Sequence, residues 1–379
     1  MQMKAIVNGK LLLKDGMVEG KAILFDEKIA KIVDEKDVQA DEIIDAEGLY
    51  VSPGFVDVHI HGYLGEDASD GSAEGLRKMA EGILKNGVTS FLPTTMTVAW
   101  DELERAFEVI RTLMPESKTW QGAQILGCHA EGPFINPAKK GAQPEDAILP
   151  PDADRMLAHK DVIRMATFAP EMPGGIEFAK KIRSESDIVL SVGHTNANYE
   201  ETMAAFEAGA NHATHTFNAM SALSHRSPGT VGAALCCCHA YCELIADTFH
   251  VHPGLYKMLH KVKGDKLVII TDCTRAGGLA DGEYTLGGQP IFVKGIECRL
   301  QDGTIAGSVL KMNDAVRNYR DHAHVPFHEA VNCASLYAAR SVGMGDSKGS
   351  LEAGKDADIV LLDEECRVHG VFAGGVRKA

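Results

Sequence analysis

No stretch of the sequence approaches the ~18 consecutive apolar residues a membrane-spanning helix needs, and the start, Met1-Gln2-Met3-Lys4-Ala5, lacks the apolar run of a secretory leader. No membrane partner is expected, and the expected location is cytoplasmic. Basic charge is scarce: Lys plus Arg is 38 against 53 Asp plus Glu, giving net −15. A broad surface for nucleic acid or anionic lipid is therefore disfavoured, and any anionic ligand needs a local basic pocket. The nine cysteines, an odd number that includes the run Cys236-Cys237-Cys238, fit neither a disulfide framework nor a zinc-finger CxxC pair, so inert thiols are expected. Internal repeats, low-complexity tracts and coiled-coil heptads are also missing. What is present is 379 residues, 45% hydrophobic and 24% charged, enough for one large barrel-type domain or several smaller ones. Sixteen histidines, several at the ends of apolar runs, ask for a chemical explanation.

The N-terminal region reads as short strands separated by turn residues: Ala5 to Val7, Lys10 to Leu13, Lys21 to Phe25, Lys28 to Val33 and Glu42 to Ala46. After Pro53-Gly54 the texture changes to apolar runs alternating with helical patterns, as in repeated βα units around a parallel sheet. Eight runs qualify as strands: Phe55 to His61, Val88 to Thr94, Gln124 to Glu131, Met165 to Pro170, Ile188 to His194, Ala213 to Asn218, Glu243 to His250 and Lys266 to Thr271. Eight parallel strands with intervening helices predict an α/β fold of (β/α)8 barrel type. Tyr284 to Ile305 reads as a β insertion. Ala357 to Leu362 and Arg367 to Phe372 return to the first texture and are expected to pair with the N-terminal strands, since lone hairpins are marginal.

In Asp57-Val58-His59-Ile60-His61-Gly62, strand alternation predicts that Asp57, His59 and His61 point into the barrel while Val56, Val58 and Ile60 meet helices. Imidazoles about 7 Å apart along a strand can converge on one cation; a pair of core histidines with satisfied hydrogen bonds is the other reading. A second HxH, His322-Ala323-His324, lies at a polar helix end and reads as solvated surface. Similar placements recur at other strand ends, which in a barrel meet at one mouth. Glu131, His194 and His215 supply one oxygen and two nitrogens, a set common in catalytic zinc sites that keep a position open for water. Asp272, after the run Val268-Ile269-Ile270-Thr271, suits a general base and acid in hydrolysis, with a turn or helix-capping role as the alternative. His250 could polarise a carbonyl or touch a substrate, and a core role fits its pattern equally well.

Taken together, Pro53-Gly54-Phe55-Val56-Asp57-Val58-His59-Ile60-His61-Gly62, His129-Ala130-Glu131-Gly132-Pro133-Phe134, Gly193-His194-Thr195, His215-Thr216-Phe217-Asn218-Ala219-Met220 and Thr271-Asp272 closely resemble the N-acetylglucosamine-6-phosphate deacetylases of the amidohydrolase superfamily, nearly end to end. The resemblance implies a metal-dependent enzyme that hydrolyses the acetamide of N-acetyl-D-glucosamine 6-phosphate to D-glucosamine 6-phosphate and acetate, in amino-sugar catabolism and cell-wall sugar recycling. It implies a TIM barrel (53–349) with a small β-sandwich domain formed by the terminal segments (1–52 plus 350–379). One divalent cation, whether Zn, Fe, Mn or Co, would sit on Glu131, His194 and His215. His59 and His61 favour a second, with Glu131 bridging. Asp272 would be the catalytic acid and base, and His250 would help stabilise the oxyanion. Substrate contacts are implied at Ala142, Gln143, Asn218, Ala219, Arg226, Asp247, Thr248, Phe249, His250, Ala306, Gly307 and Ser308. Arg226 also offers planar donors suited to a phosphate, with an exposed loop cation as the other reading; Lys139-Lys140 reads as a solvated pair, with a part in attracting substrate as the alternative. A homodimer is implied as well.

Two departures from the family pattern stand out: Thr248-Phe249 where a Gly-containing turn is expected, and the bulky Arg275 after Asp272-Cys273-Thr274. Both are expected to bear on pocket shape. Competing readings are a deacetylase for the galactosamine epimer, a cyclic amidase, whose metals are typically bridged by a carboxylated Lys from strand four, and a non-catalytic scaffold on the same fold.

Overall fold

The segment from Tyr50 to Ile60 serves two layers in succession. In the computed structural model, which describes residues 2–379, the strand Tyr50–Pro53 runs parallel to Lys10–Leu13 on one side and antiparallel to Ile359–Leu362 on the other. The first barrel strand, Phe55–Ile60, follows at once. The glycine between them, Gly54, is dictated by space: a Cβ there would lie 2.1 Å from Thr89 Oγ1.

The terminal strands form two sheets. Ile29–Asp34, Lys21–Phe25, Lys4–Val7 and Glu42–Asp45 make a four-stranded sheet in that order. The six-stranded sheet interleaves both ends of the chain, with Val368–Ala373 and Ile359–Leu362 beside Tyr50–Pro53 and Lys10–Leu13. Side chains from the two sheets share one core that includes Ile6, Ile23, Val51, Ile359 and Phe372, with Phe25 and Phe372 edge to face at 5.7 Å. This is the sandwich expected from the sequence, and the C-terminal strands pair as expected. Gly16–Val18 and Tyr50–Pro53 are strands the pattern did not reveal.

Eight parallel strands build the barrel: Phe55–Ile60, Val88–Thr95, Cys128–Glu131, Ile163–Phe168, Val189–Val192, His212–Ala213, Tyr241–Ile245 and Leu267–Ile270, each hydrogen-bonded to the next. No ladder joins the eighth strand to the first. Backbone bonds at their C-terminal ends close the seam instead: His61 N–H and Gly62 N–H donate to Cys273 O, and Asp272 N–H donates to His59 O, all at 2.9 Å. Gly62 permits this closure, since a Cβ there would lie 2.6 Å from Arg275 N. Amphipathic helices cover the barrel, each laying its apolar stripe on the strands; Phe178 of helix Gly175–Glu185, for example, packs on Phe168 at 5.3 Å. The expected β insertion is a three-stranded antiparallel sheet, Gly282–Leu286, Gln289–Lys294 and Glu297–Leu300, anchored to the barrel mouth where Gln289 Nε2 donates to Ala142 O.

The structure corrects the expected facing of the first strand. Val56 and Val58 sit in an inward cluster with Leu92, Met165, Ile245, Val268 and Ile270, residues from strands that can meet only across the barrel interior. That cluster also takes in Ala338 and Ala339 of the helix Leu336–Ser341. A register shift opposite Phe91–Pro93 adds a residue to the first strand between Asp57 and Ile60. This bulge turns His59 inward beside Val58. Asp57 is left buried against Thr271, whose Oγ1 donates to it at 2.6 Å, and burial pushes its carboxyl up to about 7.

Candidate metal and catalytic site

Three strands end just before the residues that matter, and the backbone then turns sharply. His194, His215 and Asp272 have φ of 48°, 30° and 50°, in the left-handed region that disfavours residues with a Cβ. The turn swings each side chain over the barrel mouth, where continued extension would carry it along the wall.

The hydrogen bonds fix the chemistry of each ring. His194 Nδ1 lies 2.8 Å from Lys139 O, His215 Nδ1 3.1 Å from Asn218 O, and His61 Nδ1 3.1 Å from Thr94 O. A carbonyl oxygen only accepts, so each Nδ1 carries the proton and each Nε2 presents a lone pair in the neutral ring. His59 Nδ1 is tied in the same way, to Glu243 Oε2 at 2.9 Å. All four Nε2 atoms then face carboxylate oxygens. Those of His194 and His215 lie 3.1 and 3.0 Å from Glu131 Oε1 and 3.1 Å from each other. His61 Nε2 is 3.2 Å from both Glu131 Oε2 and Asp272 Oδ1. His59 Nε2 is 3.4 Å from Glu131 and from Asp272, fully buried and without a hydrogen-bond partner.

Lone pairs packed against carboxylates repel unless positive charge sits among them, and buried carboxylates without compensation cost several kcal/mol each. The titration behaviour carries the same message. Burial opposes a charge on His61, yet the Asp272 and Glu131 carboxylates push it up to about 10. Burial likewise opposes ionisation of Asp272, but the His59 and His61 imidazoles hold it down to about 2. The nitrogen and oxygen donors fit a divalent cation, and they fall into two sets that share Glu131: Glu131 with His194 and His215, and Glu131 with His59 and His61, the ligand atoms of each lying within 4.8 Å of one another. A third grouping, His59, His129 and Glu243, has the same spacing but a different chemistry. Both nitrogens of His129 are taken, by Val58 O and Thr167 Oγ1, and burial lowers its pKa to about 3.

A cavity of about 380 Å³ opens onto this cluster, bordered by His61, Glu131, His194, His215, His250 and Asp272 and roofed by Leu286, Thr304 and Ile305 at the insertion. That volume lies in the ~300–1,000 Å³ range of small-molecule sites. Ala142, Gln143, Asn218, Ala219 and Gly307 also line it. Gln143 is tied inward, its Nε2 donating to Glu131 Oε2 at 2.6 Å and its Oε1 accepting from Thr97 N–H at 2.7 Å. His250 is steered by Asp247, Nδ1 to Oδ2 at 2.6 Å.

Other sequence candidates stand back from the cavity. Buried Ala306 and Ser308 lie behind its wall; Ser308 N–H donates to Asp272 O and its hydroxyl to Thr271 O, holding the turn that carries Asp272. Thr248 and Phe249 flank the His250 turn, with Arg299 of the insertion 5.0 Å over the Phe249 ring. Arg226 is exposed in the loop after Met220 and does not line the cavity. Arg275, expected to bear on pocket shape, is drawn off by Asp70 at 2.8 Å. Among the cysteines, only Cys236 and Cys238 are exposed.

Sequence reasoning missed Glu243 and gave Lys139 a part in attracting substrate only as the lesser reading. Glu243 was read as the opening residue of a strand, yet it is the central residue of Tyr241–Ile245; an acid inside an apolar run was the available signal. Lys139 was read as solvated, yet it lines the cavity, with its Nζ 3.3 Å from Met220 O.

The model of the amidohydrolase family matches residues 50–378. An N-acetylglucosamine-6-phosphate deacetylase from Bacillus subtilis (strain 168) is 39% identical over 372 residues, covering 96% of this chain and 93% of that protein. An N-acetylgalactosamine-6-phosphate deacetylase from Escherichia coli O157:H7 is 34% identical, covering 97% of each. The crystal structure of an N-acetylglucosamine-6-phosphate deacetylase from Pasteurella multocida superposes with a TM-score of 0.94 at 33% identity, covering 100% of both chains. With a family model matched from Tyr50 to Lys378 and relatives similar end to end, the chain belongs to the amidohydrolase family.

Proposed function

We propose that this chain hydrolyses the acetamide of N-acetyl-D-glucosamine 6-phosphate to D-glucosamine 6-phosphate and acetate, a step of amino-sugar catabolism and cell-wall sugar recycling. The observation that carries this reading is the convergence of Glu131, His194 and His215 beside Asp272 in a cavity of sugar-phosphate size. The similar proteins named above support the substrate class.

Glu131, His194 and His215 would hold one divalent cation, and His59 and His61 a second with Glu131 between them; Zn, Fe, Mn and Co all suit these donors. When bound, such a cation supplies Lewis acidity, polarising the amide carbonyl and lowering the pKa of a coordinated water from 15.7 toward about 7. Asp272, ionised at neutral pH, takes the proton of the attacking water and then delivers it to the departing nitrogen, because an amine leaves far more readily than its anion. His250, held by Asp247, steadies the carbonyl oxygen as negative charge develops on it. Gln143 keeps Glu131 in place. Among the described residues lining the cavity, Lys139 is the only Lys or Arg, and we assign it, with the backbone of Asn218 and Ala219, to the phosphate end. His250 and Gly307 border the substrate directly, Asp247 to Phe249, Ala306 and Ser308 would support them from behind the wall, and Arg226 would reach a ligand only from the exposed loop outside the cavity.

The catalytic unit is taken as 53–349 and the sandwich as the segments up to 52 and from 350. A homodimer in the cytoplasm is the proposed setting; among the described residues no helix is long and apolar enough to cross a membrane. A second reading, the galactosamine epimer as substrate, is favoured by the similarity to the Escherichia coli protein. A cyclic amidase of the carboxylated-lysine type is disfavoured, since the fourth barrel strand, Ile163–Phe168, contains no Lys. Acetate release from the two epimeric N-acetylhexosamine 6-phosphates by metal-loaded protein decides between the epimers. Turnover of neither would overturn the assignment.

A further inference from the structure

Of the four imidazoles whose Nε2 faces Glu131, three have Nδ1 held by backbone carbonyls, those of Thr94, Lys139 and Asn218. His59 alone is held by a side chain, the fully buried carboxylate of Glu243. Oε2 of Glu243 also accepts the backbone N–H of His215 at 2.9 Å, so one oxygen locates a donor from each of the two sets. The far oxygen, Oε1, faces His212 Nδ1 at 3.4 Å without a hydrogen bond. A buried carboxylate here is costly, and an apolar residue would pack the strand Tyr241–Ile245 more cheaply. Its position has a clear use. With Nδ1–H committed to Glu243, His59 must direct its Nε2 lone pair at the space between Glu131 and Asp272, where that atom has no protein hydrogen bond.

We propose that Glu243 is a positioning residue for the second cation: it fixes the tautomer and orientation of His59 and adds a negative charge behind the ring, so that the His59 and His61 site depends on Glu243 whereas the His194 and His215 site keeps its own carbonyl supports. The inference rests on the two-cation reading above and does not depend on which sugar is hydrolysed. Outer carboxylates of this kind, bonded to the rear nitrogen of a ligating imidazole, are worth ~10–100-fold in metal affinity.

The test uses full-length protein stripped with chelator and titrated with Co(II), read by bound metal per chain and by the visible ligand-field spectrum. Wild type takes up two equivalents. Glu243→Leu is expected to lose the second equivalent while weakening the first by far less, since it frees the His215 N–H but leaves the Nδ1 supports of His194 and His215 in place. Glu243→Gln keeps an oxygen for the His59 and His215 N–H groups but not the charge, so it is expected to bind the second equivalent ~10–100-fold more weakly. Glu243→Gln also guards against misfolding of Glu243→Leu, because it preserves size and hydrogen bonds. Undiminished second-site binding in both variants overturns the proposal while leaving the two-cation reading standing; equal weakening of both equivalents overturns it in favour of a general structural role. A wild type that binds one equivalent overturns both. Acetate release by wild type, assayed separately, reports on the substrate assignment alone.

Discussion

Asp272 sits 3.2 Å from His61 Nε2 and 3.4 Å from His59 Nε2, close enough to the donor clusters to relay a proton yet set on a turn of its own. Replacement by Asn retains the shape and removes the basic oxygen. The expected result for Asp272→Asn is a kcat lower by ~10²–10⁴, the usual worth of a positioned acid-base group, measured as acetate release at saturating substrate. Lys139 allows a cleaner separation of binding from chemistry. A charge-assisted contact to phosphate is worth ~1.5–3 kcal/mol, so Lys139→Met should raise KM for the phosphorylated sugar by about tenfold or more. Its effect on the unphosphorylated sugar should be small. An equal loss on both sugars would show that Lys139 acts through His194, which bonds its carbonyl, and not through the phosphate.

The elements that carry the site are short strands ending in strained turns. Left-handed backbone at His194, His215 and Asp272 costs ~1–2 kcal/mol each, a cost the function tolerates because it aims the side chains. Thr248 shares that conformation, with φ of 67°, and its β-branched side chain makes it worse suited than any of the three. Thr248→Gly should therefore raise the thermal unfolding midpoint, by an amount equivalent to about 1 kcal/mol, measured on metal-loaded protein by calorimetry. The same turns mark where sequence patterning succeeds and fails. Short apolar runs set between helical patterns located all eight barrel strands within a few residues, since burial of parallel strands on both faces imposes such runs. The sixth strand, however, shrinks from the expected Ala213 to Asn218 to just His212–Ala213, because the chain reverses φ at His215, Phe217 and Ala219. Periodicity carries no signal for such reversals. Nor does it show the bulge that brought His59 inward, although the histidines themselves, at strand ends, were legible. Glu243 escaped because its partners lie on other strands.

Across the whole molecule, the two chain ends are structural partners. Ile359–Leu362 occupies the middle of the six-stranded sheet, between Tyr50–Pro53 and Val368–Ala373, so truncation before residue 356 removes the strand paired with Tyr50–Pro53 and takes Ile359 and Leu361 out of the core they share with Val51 and Phe25. On expression, a smaller share of the truncated chain than of the intact chain should stay in the supernatant after centrifugation. Metal removal acts at the opposite end of the barrel. Ligand binding to the native state alone adds ~2.7 kcal/mol at a hundredfold excess over Kd, and a chelated sample should accordingly melt earlier and recover its midpoint on adding back Zn or Co. The barrel seam gives that coupling a location. Because, among the described residues, the backbone bonds that join the first and last strands there flank His59, His61 and Asp272, an ion held among those side chains would also act as the clasp of the cylinder. Amide deuterium uptake at His61, Gly62 and Asp272 should slow on metal loading, while amides in the strand Ile163–Phe168, across the barrel from the clasp, exchange at a rate set by global unfolding alone.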